Sequence, residues 1–229
     1  MKSTKSSLKL KVVEMVSGDW IGINKHWVLN DKNDYDKLCD YYQKINYSVQ
    51  DLNNELDNLE IINMKSIIYI TVLMDWIWEA SESIKRLVRK DVKKSYLYNE
   101  AAEWKRAKAY HKAFRSYVVA HPLTTDRHKQ YGLDGSFICV DIRPTSNVVS
   151  LPFCPEELFY RLTFMGMQNH KKELADDFCL MSYSSADNMQ YFKYITCNIK
   201  DLEKTTQICL DELKAFEKYI SKQKRKDYV

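Results

Sequence analysis

Arg115 and His121, with five residues between them in the stretch Arg-Ser-Tyr-Val-Val-Ala-His, are the side chains of this sequence best suited to chemistry on a phosphate. A guanidinium is planar, always charged and forked to match a phosphate, and an imidazole exchanges protons near neutrality. The pair has what metal-free RNA cleavage requires. In that reaction a base takes the proton of the ribose 2′-hydroxyl and the oxygen attacks the adjacent phosphorus. An acid then protonates the departing 5′-oxygen, while a cation stabilises the crowded intermediate. Arg115 would bind the phosphate and His121 would move protons, and because the nucleophile is the 2′-hydroxyl, DNA would not be cut.

The residues nearby extend this reading. Ser116 follows the arginine and Lys112 precedes it by three positions, both expected RNA contacts; downstream, Asp126, Arg127 and His128 in Thr-Thr-Asp-Arg-His either extend the site, with Arg127 and His128 contacting RNA, or populate a solvated loop. His111, one helical turn before Arg115 on an apolar stripe, is expected as a buried support. Taken singly, Arg115 reads as a surface arginine paired with an acid, and His121 as a helix-terminal histidine capping carbonyls. Other chemistries lack their signatures. The five histidines form no H-x-x-x-H or H-x-E pattern, and no Walker, dinucleotide-glycine or G-x-S-x-G motif occurs, so neither metal nor cofactor is expected.

These residues need an element to position them. Leu38, Tyr42, Ile45, Val49, Leu52, Leu56 and Leu59 recur at spacings of three and four, which predicts a helix from Asp34 to about Leu59. A second begins near Asn63 and carries Ile67, Ile70, Met74, Ile77, Ile84 and Val88, apolar around much of its circumference and so centrally buried. The third, roughly Tyr98 to Ala120, places Trp104, Ala107, His111, Phe114 and Val118 on one stripe, and Pro122 stops it just after His121. On an intact α-helix six positions correspond to about 9 Å of rise and about 120° of rotation. The pair therefore meets one phosphate either by a break at Pro122 that swings His121 back, or by dimerisation that lines one cleft with two pairs. A last helix runs from about Asp201 to Lys222.

Between Pro122 and about Lys200 the pattern turns irregular. Phe137 to Ile142 alternates, as do parts of Asp177–Tyr183 and Tyr191–Ile199 on either side of the turn-like Ser-Ala-Asp-Asn, predicting two or three strands. Cys154 to His170, with Pro155 at its start and Glu156–Glu157 in the first turn, predicts a helix. The expected architecture is mainly α, a helical bundle with a mixed α/β insertion between the motif helix and the last helix. Residues 1–33 would form an N-terminal segment, and 34–229 a single domain interrupted at about 122–200.

A bundle with R-x(4–6)-H late in a long helix resembles the HEPN superfamily, whose members include RNA-cleaving toxins, abortive-infection proteins and CRISPR effector ribonucleases. The resemblance covers about 34–120 and 201–222, and leaves 122–200 as a family-atypical insertion. It implies a HEPN-like helical domain, a homodimer, catalytic Arg115 and His121, and a toxin or antiphage endoribonuclease. Members modified by a nucleotidyltransferase resemble R-x(4)-H-x-Y, and here Leu123 stands at the tyrosine position, which argues against control by tyrosine adenylylation. A protein or RNA antagonist stays open. The alternative is a non-catalytic helical module that binds RNA or protein.

Bulk properties set outer limits. A formal charge of +4, from 35 basic and 31 acidic residues, permits a nucleic-acid partner without requiring one. The six scattered cysteines lack any C-x-x-C pair and read as reduced core thiols. The apolar run from Ile67 to Trp78 contains Asp75 and is shorter than the roughly 20 residues of a membrane span. With no secretory signal legible at the N-terminus, a cytoplasmic protein without membrane attachment is expected. Trp76, Trp78 and Trp104 are expected in the core; Tyr41, Tyr42, Tyr96 and Tyr98 are expected to be partly exposed.

Overall fold

The structure is a computed structural model that describes residues 28–31, 33–97, 102–120, 126–132, 137–149, 158–169, 176–186 and 189–223. The chain divides into two compact units, one containing residues 54–72 and 106–205 and the other 9–53, 73–105 and 206–229.

The described part of the second unit is helical. Helix α1 (Asp34–Asp57) buries Leu38, Tyr42, Ile45, Val49 and Leu52 of the predicted stripe, while Leu56 is half-buried and Leu59 lies past the helix end. Helix α2 (Met64–Leu87) starts at Asn63, whose side-chain Oδ1 accepts from the backbone N–H of Ser66 at 3.1 Å. Its later turns bury Leu73, Met74, Ile77, Trp78 and Ile84. Arg89 N–H donates to Val28 O at 2.8 Å and Asn30 N–H to Leu87 O at 2.9 Å, so the chain before α1 is tied to the end of α2. Helix α3 (Lys90–Leu97) brings Tyr96 against Phe216 of α6 (Ile199–Gln223), ring centroids 4.9 Å apart. Trp78 meets Trp104, near the start of α4 (Ala102–Arg115), at 6.1 Å.

The first unit holds a five-stranded sheet of order β1-β4-β5-β2-β3. Its strands are β1 (Ile138–Pro144), β2 (Phe159–Thr163), β3 (Gly166–Asn169), β4 (Phe178–Ala186) and β5 (Met189–Cys197). The central β4–β5 pair is antiparallel over its full length, and β1 adds antiparallel to β4 with a bulge between Cys139 and Asp141. Strand β2 runs parallel to β5, with Phe159 opposite Tyr194. A short helix, α5 (Thr145–Val149), follows β1 and sends Val148 into a cluster with Phe159 and Cys179. Asn198 caps α6 through Lys200 N–H at 2.8 Å, and Asp177 accepts from Ile199 N–H at 2.8 Å.

This sheet corrects the mainly α, HEPN-like bundle expected from the sequence: the fold is mixed α/β. The strands are not an appendage to a helical core. Phe114 of the motif helix meets Phe178 of β4 edge-on at 6.0 Å, and Tyr110 stacks on Phe164 beside the β2–β3 turn at 5.0 Å. The apolar stripe that suggested helix-on-helix packing therefore rests partly on strands.

The helix expected over Cys154 to His170 is also corrected, because from Phe159 onward this stretch is the β2–β3 hairpin. Phe159 and Leu162 are both buried, and their spacing of three reads as one helical face. In a strand successive side chains alternate, so the two lie on opposite faces, each covered. Thr163 Oγ1 accepts from Met165 N–H at 3.1 Å and donates to Gly166 O at 3.0 Å, while Gly166 takes φ +98°, closing the turn. Pro155 and Glu156–Glu157, the expected helix start, lie outside the described residues.

Candidate functional site

Helix α4 carries Arg115 at its last α-helical position, and residues Ser116–Ala120 continue as a π-helix. A π-turn bonds i to i+5 and widens the helix, and such segments are frequent at functional sites. The continuous α-helix expected to Ala120 is thus corrected, and its angular relation between positions 115 and 121 does not apply. His121 lies outside the described residues, as do Pro122 to Thr125.

Chain just downstream returns to this segment. A 3-10 helix, Asp126–Tyr131, follows, and His128 in it is fully buried. A His128 ring nitrogen, Nε2, lies 3.4 Å from Ser116 O, and the imidazole packs on the Tyr117 ring at 4.7 Å. Tyr131 meets Tyr117 edge-on at 6.0 Å. Gly132 then takes φ +95°, and a Cβ there would stand 3.2 Å from Met167 Cβ, so the exit of this turn is held against β3.

The result is a compact group made from two pieces of chain. Tyr131 is partly buried, and burial pushes its phenol up; Arg115 and Arg127 both oppose that shift. Arg127 is exposed and Arg115 half-buried. Behind them the Tyr117 phenol is pushed far up by burial, and the hydroxyls of Ser116 and Tyr117 are buried without a hydrogen-bond partner.

Of the residues singled out in the sequence, Arg115, Ser116, Arg127 and His128 are brought together, and Lys112 is exposed on α4 one turn before Ser116. Ser116 and His128 are buried, so neither presents a polar surface to a ligand. His111 is also buried. Tyr117 and Tyr131 escaped the sequence reading. A signal existed for Tyr131: it stands four positions after Arg127, about one turn on an α-helix, and directly before a glycine.

Trp78 and Trp104 are core residues, but Trp76 is 41% exposed beneath Lys44, whose Nζ stands 3.1 Å from the ring centroid. Tyr42, expected partly exposed, is buried and donates a short hydrogen bond to Glu217. Cys179, Cys197 and Cys209 are buried free thiols, Cys39 and Cys139 half-buried ones. Among the described residues no three His, Cys, Asp or Glu side chains gather as a metal site, and no helix is long and apolar enough to cross a membrane.

Compared with known proteins, the chain matches no family model, no curated protein and no solved structure.

Proposed function

We propose that this chain is a metal-independent endoribonuclease in which Arg115 and Arg127 hold the scissile phosphate and His121 carries the proton. What supports this reading is the meeting of the chain after Arg115 with the chain after Arg127, through Ser116 O and His128 Nε2 at 3.4 Å, at the end of the helix that carries Arg115. Two guanidiniums carried on neighbouring segments suit a phosphodiester, whose charge grows as the 2′-oxygen adds to phosphorus. The 2′-hydroxyl loses its proton to a base, the P–O5′ bond breaks, and the departing 5′-oxygen gains a proton, leaving a 2′,3′-cyclic phosphate. His121 takes its role from its place in the sequence, and a homodimer would supply a second imidazole for the second transfer.

Labelled single-stranded RNA incubated with the protein in chelator tests the proposal. Wild type is expected to cleave it, Arg115→Ala and His121→Ala to lose about a hundredfold or more in rate, and all three to unfold at the same temperature. Undiminished cleavage in both variants would overturn it. Retained RNA binding without turnover in wild type would favour the second reading, a binding module. The burial of His128, which removes an imidazole from the groups facing solvent here, speaks for that reading.

A further inference from the structure

The ligand-facing group that neither the motif nor its spacing supplies is Tyr131. Its ring packs edge-on against Tyr117 at 6.0 Å; Tyr117 in turn packs on His128 at 4.7 Å, and His128 Nε2 lies 3.4 Å from Ser116 O. Since Ser116 follows Arg115 and His128 follows Arg127, the same contacts set where both arginine backbones lie. The turn ends beside β3, where Gly132 lies next to Met167 in a backbone conformation that other residues rarely adopt. Tyr131 remains partly exposed. A phenol donates one hydrogen bond and carries no charge at neutral pH. Among two cations it therefore adds a directed donor to an anionic oxygen without adding repulsion.

We propose that Tyr131 contacts the phosphate held by Arg115 and Arg127, its hydroxyl donating to a non-bridging oxygen. This deepens the nuclease reading by naming a third substrate contact, and it rests on the same phosphate position. The hydroxyl moves no proton between reactants; it favours the more highly charged transition state over the ground state, so its loss falls mainly on kcat.

Two measurements test this contact. In the first, Tyr131→Phe keeps the ring and its packing on Tyr117 and removes only the oxygen. Its kcat on labelled single-stranded RNA is expected to fall about ten- to a hundredfold, the loss of one hydrogen bond to a charged group, with KM within about twofold and an unchanged unfolding temperature. A kcat equal to that of wild type overturns the contact. In the second, the protein carries tyrosine labelled with carbon-13 at Cζ, and inorganic phosphate is titrated in while the Tyr131 resonance, assigned by its disappearance in Tyr131→Phe, is followed. Phosphate is expected to move it in wild type and not in Arg115→Gln/Arg127→Gln. No movement in wild type overturns the contact independently of any activity. If phosphate moves the resonance but RNA is not cleaved, the contact stands and the nuclease reading fails.

Discussion

Lys85 shows what one charged residue costs and contributes when it is held away from water. Its side chain is 5% exposed, its Nζ lies 3.3 Å from Glu212, and it sits 4.3 Å from the centroid of Trp104. Tyr96 donates a second hydrogen bond to the same carboxylate oxygen at 2.7 Å. Removing one partner of a buried pair strands the other, so Lys85→Ala is expected to cost about 3 kcal/mol or more. Lys85→Met with Glu212→Leu, which removes both charges, should cost much less. Urea unfolding midpoints of wild type and the two variants check this. The sequence could not announce such a pair, since the partners stand 127 positions apart and neither type is diagnostic of burial. The candidate site was easier to read. Arg115, Ser116, Arg127 and His128 were all named from residue type and nearness in sequence, and the structure gathers them. What type alone could not tell was which of them face inward: Ser116 and His128 look as polar as Arg127, and only the packing of Tyr117 separates them.

At the scale of elements, helices were legible and strands were undervalued. The stripes of α1 and α2 and the Asn63 start were all in the sequence, because a helix face repeats over many residues and each repeat adds signal. Strands β1, β4 and β5 were partly visible as alternation, yet their standing as the support of α4 was not, since pairing partners such as Phe178 and Cys197 are distant in sequence. Strand β2 read as a helix because both of its faces are covered, which erases the period of two. The turn that carries Tyr131 gives a test at this level. Gly132→Ala forces a side chain into φ +95° with Met167 Cβ at 3.2 Å, and is expected to cost about 1–3 kcal/mol. If the 3-10 helix sets the positions of Arg127 and Tyr131, the same variant should lose RNA cleavage at temperatures where it is still folded. Paired thermal unfolding and cleavage assays at matched temperatures measure both effects.

Across the whole molecule, a net charge of +4 in 229 residues leaves association with RNA to local placement of cations, not to bulk attraction. Stability should respond to pH through carboxyls in both units. Burial pushes up Asp201 in one and Glu217 in the other; in Glu217 the hydrogen bond from Tyr42 opposes the shift only in part. Such groups hold their protons more tightly folded than unfolded. The stability they contribute is full below the unfolded carboxylate range and is lost as pH rises through the folded values. Glu217→Gln, which keeps an acceptor for Tyr42, is expected to flatten that decline and to unfold at higher urea than wild type at pH 7. Unfolding midpoints measured from acid to neutral pH would show it, and a parallel decline in the variant would refute it. The strand order carries its own consequence for synthesis. Strand β1 and the β2–β3 hairpin leave the ribosome before the hairpin that joins them, so until Cys197 emerges their edges stand open to other nascent chains. The newborn sheet therefore stays in two unjoined pieces until the last hairpin is made.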